Sequence, residues 1–127
     1  MRMRTRWILG ALGLAAGALV APDASAGDAA AGKTTYQTYC VSCHGEAGKG
    51  DGPVGAALNP RPRDFSVGDF KYDADGDGKP GSDTDLKKIV AEGAGAYGGS
   101  PLMAPWSGAL SEEDIDNVVA FVRSLHK

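Results

Sequence analysis

The sequence offers no credible β-strand and no internal repeat. It has only two cysteines and two histidines, which leaves a four-ligand zinc site nothing to spare. Its longest apolar stretch, Trp7–Val20, is about 14 residues, short of the ~20 a membrane-spanning helix needs. Basic residues are in deficit, 13 against 16 acidic, which argues against nucleic acid and anionic membrane as partners. Apolar positions are scarce through the middle of the chain. With 19 glycines and 7 prolines, much of it must be loop.

What is present begins with an address. Arg2, Arg4 and Arg6 precede the apolar run, and Ala24-Ser25-Ala26 gives the small-x-small pattern of a cleavage site. Residues 1–26 therefore read as a secretory signal peptide, with an uncleaved anchor as the alternative. The expected mature chain, Gly27–Lys127, has 101 residues, a single small domain. It keeps 10 basic and 15 acidic residues, a net charge of −5, which favours partners with basic surfaces.

Three helices are predicted. Asp28 caps a first helix over Ala29–Cys40. A second covers Asp83–Glu92, started by the capping-box spacing of Ser82 and Asp85 and stopped by Gly93, with Leu86, Ile89 and Val90 on its apolar face. The third follows Ser111, with Glu112, Glu113 and Asp114 in its first turn and Ile115, Val118, Val119 and Val122 at helical spacing. Between the first two lies loop with one short turn near Val54–Leu58; a second loop covers Gly93–Leu110. Three helices around so much loop leave too little apolar surface for an ordinary core, so a cofactor is expected to fill the centre.

Cys40, Cys43 and His44 name it. C-x-x-C-H in an exported chain reads as a c-type haem attachment site. Two thiols about one helical turn apart can each add to a vinyl group of the porphyrin, and the adjoining histidine is carried beneath the ring to bind iron. Three other readings are weaker. A redox C-x-x-C belongs at a helix start within a βαβ pattern, which is absent; zinc would need His126, at a frayed helix end; and a disulfide across two residues is geometrically awkward. For the sixth iron position the candidates are Met103, His126 or no side chain. Met103 is carried forward. It is the only methionine after the leader, 59 residues beyond His44, in a loop between Pro101 and Pro105. A His/Met pair raises the potential and suits an electron carrier.

Four features together resemble the class I c-type cytochromes, the small monohaem kind. They are CVSCH at the end of the first helix, the four-residue spacing of Gly32, Tyr36 and Cys40, the segment PLMAPW, and LSEEDIDNVVAFVRSL. The resemblance spans Gly27–Lys127. It implies an all-α cytochrome c fold, three main helices and long loops around one covalent haem, with the first and last helices crossing at Gly32 and packing Tyr36 against Val118 and Phe121. It also implies that the Pro53 carbonyl accepts the other imidazole N–H of His44, that Arg61 and Arg63 pair with haem propionates, and that Trp106 packs on the haem or reaches a propionate. One departure is Ala104, where many relatives have proline directly after the methionine.

One stretch lies outside this pattern. Asp73, Asp75, Asp77 and Gly78 match the opening of a calcium loop, although Thr84 stands where a bidentate glutamate is expected. Calcium is thus a second cofactor expectation, set against a solvated turn. The functional expectation is a periplasmic, monomeric electron carrier and not an enzyme. The competing readings are a haem subunit of a dehydrogenase or terminal reductase complex, and a ligand sensor if the Met103 loop opens.

Overall fold

The computed structural model describes residues 27–127, together with the isolated positions 13, 17 and 18. The signal-peptide reading of residues 1–26 falls otherwise outside them. Among the described residues the elements are helices and single 3-10 turns, without strands: α1 (Ala29–Tyr39), α2 (Val41–His44), α3 (Asp83–Glu92) and α4 (Glu112–Ser124), with turns at Gly55–Ala57, Phe65–Val67 and Ala94–Tyr97. None of these helices is long and apolar enough to cross a membrane.

Local chemistry sets the helix ends. The Asp28 carboxylate accepts from the Ala30 and Ala31 amides at the start of α1. Both capping boxes close fully: Ser82 with Asp85 begins α3, and Ser111 with Asp114 begins α4. The expected first helix, Ala29–Cys40, is present as α1 to within one residue, and a further short helix, α2, follows it. Cys40 has a φ of −115°, outside regular helix, yet its amide still donates to the Tyr36 carbonyl and its own carbonyl accepts from His44 at 2.9 Å. The chain therefore kinks at Cys40 and starts again as α2, which carries Cys43 and His44.

The frame of the domain is α1 against α4. Gly32 makes this possible: a Cβ built there would overlap the Asn117 carbonyl oxygen and sit 2.9 Å from the Val118 nitrogen. The Asp28 amide donates to Asn117 Oδ1 at 2.7 Å, so α4 also fixes the start of α1. Tyr36, at the centre of the contact, is 1% exposed and stands 5.0 Å from the Phe121 ring. Val118 and Val119 are buried beside it, each contributing about 2 kcal/mol by removal from water. α3 adds Leu86 to this core and a Lys87–Asp116 ion pair, 2.7 Å, to the α3–α4 face.

The core is small. Tyr36, Leu86, Val118, Val119 and Val122 are its buried members, and Phe65, Phe70, Val90, Phe121 and Leu125 pack on it only partly buried. The shortage of apolar core inferred from the sequence is thus a feature of the fold, and it surrounds a cavity.

Candidate functional site

Next to this core lies a cavity of about 350 Å³. That volume is within the usual range for small-molecule and cofactor sites. Its walls come from five parts of the chain. Cys40, Cys43 and His44 enter from the α1–α2 kink and from α2. Leu58, Arg61, Arg63, Phe65 and Tyr72 enter from the long loop; Leu86, Ile89 and Val90 from α3, with Val119 and Val122 from α4; and Leu102, Met103 and Trp106 from the second loop.

Backbone bonds put the second loop in place. The Trp106 amide donates to the Val90 carbonyl at 3.0 Å and the Ser107 amide to Ala91 at 3.1 Å, strapping the loop to the end of α3. The Ala94 amide donates to the Met103 carbonyl. Gly93 has a φ of +83°, a conformation glycine adopts without strain, and a Cβ there would come within 2.8 Å of that same Met103 carbonyl. Trp106 in turn packs its ring 5.6 Å from Tyr39, closing the wall between the second loop and α1.

His44 is half-buried, with Nδ1 wholly buried and without a hydrogen-bond partner. Burial pulls the imidazole down to about 4, against the opposing pull of the Arg63 carbonyl. The ring is therefore neutral at physiological pH, the form that binds a metal. The Phe65 ring stacks on it, centroids 4.6 Å apart and planes within 18°. Below it, the Tyr36 hydroxyl donates to the Gly45 carbonyl at 2.6 Å, tying α1 to the residue that follows His44. Cys40 and Cys43 are free, half-buried thiols. Burial, and then the neighbouring Cys43, push the Cys40 thiol up to about 11. A thiol held protonated in this way lacks the activation that redox dithiols need.

The cavity gathers Cys40, Cys43, His44, Met103, Arg61, Arg63 and Trp106. Pro53 is the exception. It lies exposed and outside the cavity, and no bond joins it to His44. The Gly52 amide donates to Cys43 and the Val54 amide to Ser42, so this segment runs along the backbone of α2 and leaves Pro53 outside. His126 is also outside the cavity, its ring against Gly68. Arg63 faces Asp69 at 3.9 Å, while Arg61 has no ion-pair partner among the described residues.

The acidic stretch departs from the expected calcium pattern. The three carboxylates that converge are Asp73, Asp75 and Asp85; Asp77 is not among them. The amide of Asp77 donates to the carboxylates of Asp73 and Asp75, which keeps this residue as part of the turn. Asp85 is fully buried and accepts from the amides of Ala74, Asp75 and Ser82.

The sequence reading did not single out Phe65. The Asp64-Phe65-Ser66 order is an Asx-turn signal that would have placed a turn there, since Asp64 accepts from the Ser66 amide at 2.9 Å. Nothing local says that the turn lies against His44.

A kinked helix delivering two thiols and a neutral imidazole into an apolar cavity, with a thioether in its wall, matches known proteins. The family model described as Cytochrome c covers residues 29–126. The chain belongs to the cytochrome c family. It is a small c-type cytochrome with the helical cytochrome c fold, and its family works in electron transfer through covalently bound haem. The chain is 40% identical over 102 residues to cytochrome c-554(547) of Halothiobacillus neapolitanus, 79% of this chain and 99% of that protein. It is 32% identical over 99 residues to cytochrome c-554(548) of Halomonas halodenitrificans, 78% of this chain and 98% of that one. Among solved structures it resembles a chain of the reducing HAO-like protein complex of Kuenenia stuttgartiensis, with a TM-score of 0.62 and 34% identity. That match covers 76% of this cytochrome and 41% of the neighbour. The KustC0563 c-type cytochrome matches with a TM-score of 0.51 and 28% identity, covering 76% of this chain and 98% of that one.

The residues present fit a haem. The cavity is apolar, both thiols and a neutral imidazole line it, and the cysteines are unpaired.

Proposed function

We propose that this cytochrome is a periplasmic one-electron carrier with a single haem c, held by thioether bonds from Cys40 and Cys43 and ligated by His44 and Met103. The observation that carries this reading is that these four side chains line one apolar cavity. When bound, the haem supplies an iron that takes up and gives back one electron. The chain's own residues fix and shield that centre. α2 presents His44 in its neutral form; the strapped second loop carries Met103; and Leu86, Val90, Val119 and Val122 keep water from the inner wall. Arg61 and Arg63 at the cavity wall are the partners proposed for the propionates, and Trp106, packed against Tyr39, is a wall aromatic. With both His44 and Met103 holding the iron, no position on it would remain for a substrate, so no catalysis by this chain alone is proposed.

Residues 1–26 are proposed to be removed on export, leaving Gly27–Lys127 as a monomeric haem domain with acidic character that docks basic redox partners. The amino-terminal sequence of the matured protein tests the cleavage.

The deciding experiment is the absorption spectrum of the matured protein, oxidised and reduced. Sharp reduced c-type bands with a weak far-red sulfur-to-iron band in the oxidised form support His44/Met103 ligation. A c-type spectrum without that band moves the reading toward an open site and a ligand sensor, which rapid carbon monoxide binding to the reduced form would support. Absence of haem in a host able to attach it overturns the proposal.

A second reading has its own observation. The neighbour of TM-score 0.62 is a chain of a protein complex, and this cytochrome spans 41% of it. Gel filtration of native extract separates the two, since a carrier elutes small and a subunit elutes with its enzyme. For calcium, the proposal is confined to Asp73, Asp75 and Asp85; a melting temperature unchanged by millimolar calcium counts against it.

A further inference from the structure

The chain passes Gly93 twice. It leaves α3 at that residue, and the second loop then returns across it with Met103, Ala104 and Pro105. A Cβ built on Gly93 would lie 2.8 Å from the Met103 carbonyl oxygen, 3.1 Å from the Pro105 nitrogen and 3.3 Å from the Ala104 carbonyl carbon. All three obstacles are backbone, on consecutive residues, so no change of rotamer can clear them. Gly93 also has φ +83° and ψ 152°, a region essentially reserved for glycine.

The returning segment has little freedom to retreat as a whole. The Met103 amide donates to the Ser100 carbonyl, and the Met103 carbonyl accepts from the Ala94 amide, both at 3.2 Å. Farther on, the Trp106 and Ser107 amides are held by the Val90 and Ala91 carbonyls. The Gly93 amide is itself tied to the Ile89 carbonyl at 2.8 Å, closing α3. To reach ordinary contact, which begins at 3.4 Å, the Met103 carbonyl would have to move by about 0.6 Å. With the loop fixed at Ser100 and at Trp106, that movement falls on Met103, whose side chain lines the cavity. Functional constellations are held to within ~0.5 Å of their working geometry.

We propose that Gly93 is a positioning residue for Met103. Its missing side chain lets the Met103 backbone lie against the end of α3, and that approach sets how far the thioether reaches into the cavity. The inference rests on the reading of Met103 as axial ligand. A methionine ligand raises the potential, so displacing the thioether alters the spectrum and the potential as well as the stability.

The test compares Gly93→Ala with Gly98→Ala in the haem-loaded protein, well below the melting temperature of each. Gly98 lies in the same loop and also has a positive φ, +85°, but a Cβ there meets nothing within 4 Å. Gly93→Ala is expected to keep its covalent haem, to lose most of the far-red sulfur-to-iron band and to show a lower reduction potential, with carbon monoxide binding the reduced form quickly. Gly98→Ala is expected to keep the wild-type band and potential, even where it melts earlier. A role in loop stability alone would lower the melting temperature of Gly93→Ala and leave its band and potential at the wild-type values, which overturns the proposal. Equal loss of the band in both variants overturns it too. If Gly93→Ala does not accumulate, NMR on the reduced wild type decides. Nuclear Overhauser contacts are expected between the Gly93 α protons and the Pro105 δ protons, and their absence overturns the proposal. A wild type without the far-red band brings down the ligation reading and this inference with it. A wild-type band that survives in Gly93→Ala brings down the inference alone.

Discussion

Gly32 meets Asn117 backbone to backbone, so closely that a Cβ on Gly32 would overlap the Asn117 carbonyl oxygen. That contact sets the separation of α1 and α4, and the rest of the domain hangs from it. α1 leads directly into the kink that carries Cys40, Cys43 and His44, while α4 supplies Val119 and Val122 to the inner wall of the cavity.

Gly32→Ala is therefore expected to be severe. The obstacle is backbone, which cannot step aside as a side chain can, so the two helices must part. Overpacking of this kind costs about 3 kcal/mol. For a domain of this size that is a fall in Tm on the order of 10 °C or more. Thermal melting followed by circular dichroism reads it directly, and a change within a degree or two would show that α1 and α4 can separate freely.

Tyr36→Phe keeps the ring against Phe121 and removes only the hydroxyl that donates to Gly45. The Gly45 carbonyl still accepts from the Gly48 amide, so it is not left orphaned. The expected loss is about 1 kcal/mol, the worth of one buried hydrogen bond. Denaturant titration at constant m-value checks it.

Asp85 should make the protein acid-sensitive. Burial pushes its carboxyl up, but the amides of Asp75, Ser82 and Ala74 and the Ser82 hydroxyl outweigh that and hold it below the ordinary carboxylate range. The folded value lies under the unfolded one. The stabilisation is thus complete above the ordinary carboxylate pKa of ~4 and is lost as pH falls through the lower folded value. Asp85→Asn is expected to be less stable at pH 7, with the gap to wild type closing below about pH 4. Parallel melts across pH would reveal this; a constant gap would exclude the carboxylate charge as the cause.

Met103→Ala should leave covalent haem attachment intact, because the thiols lie on the α1–α2 segment and the thioether on a separate loop. The far-red band is expected to vanish and the reduction potential to fall, since the thioether favours reduced iron. Carbon monoxide should then bind the reduced variant quickly. Retention of the band in Met103→Ala would assign the sixth position to another group.

Much of this was legible in the chain itself. The bounds of α3 follow from Ser82, Asp85 and Gly93, three residues whose capping and stopping act within one turn. α4 follows in the same way from Ser111, its first-turn acids and the valine stripe. The C-x-x-C-H motif is equally local, because one helical turn suffices to place two thiols and an imidazole. Even the shortage of core was readable, as a lack of apolar residues needs no coordinates.

Tertiary structure decided the rest, wherever the partners are distant and the path between them is loop. Asp85 joins Asp73 and Asp75 in place of Asp77 because α3 buries it against the turn, while Asp77 is held by its own amide in that turn. Pro53 misses His44 because its neighbours bond to the backbone of α2. Phe65 reaches His44 because Gly48, Phe70 and Lys127 fix its segment from three sides. Most of these bonds engage backbone carbonyls and amides, groups that nearly every residue possesses. They leave no period or composition in the sequence, and so only the folded chain shows which of them form.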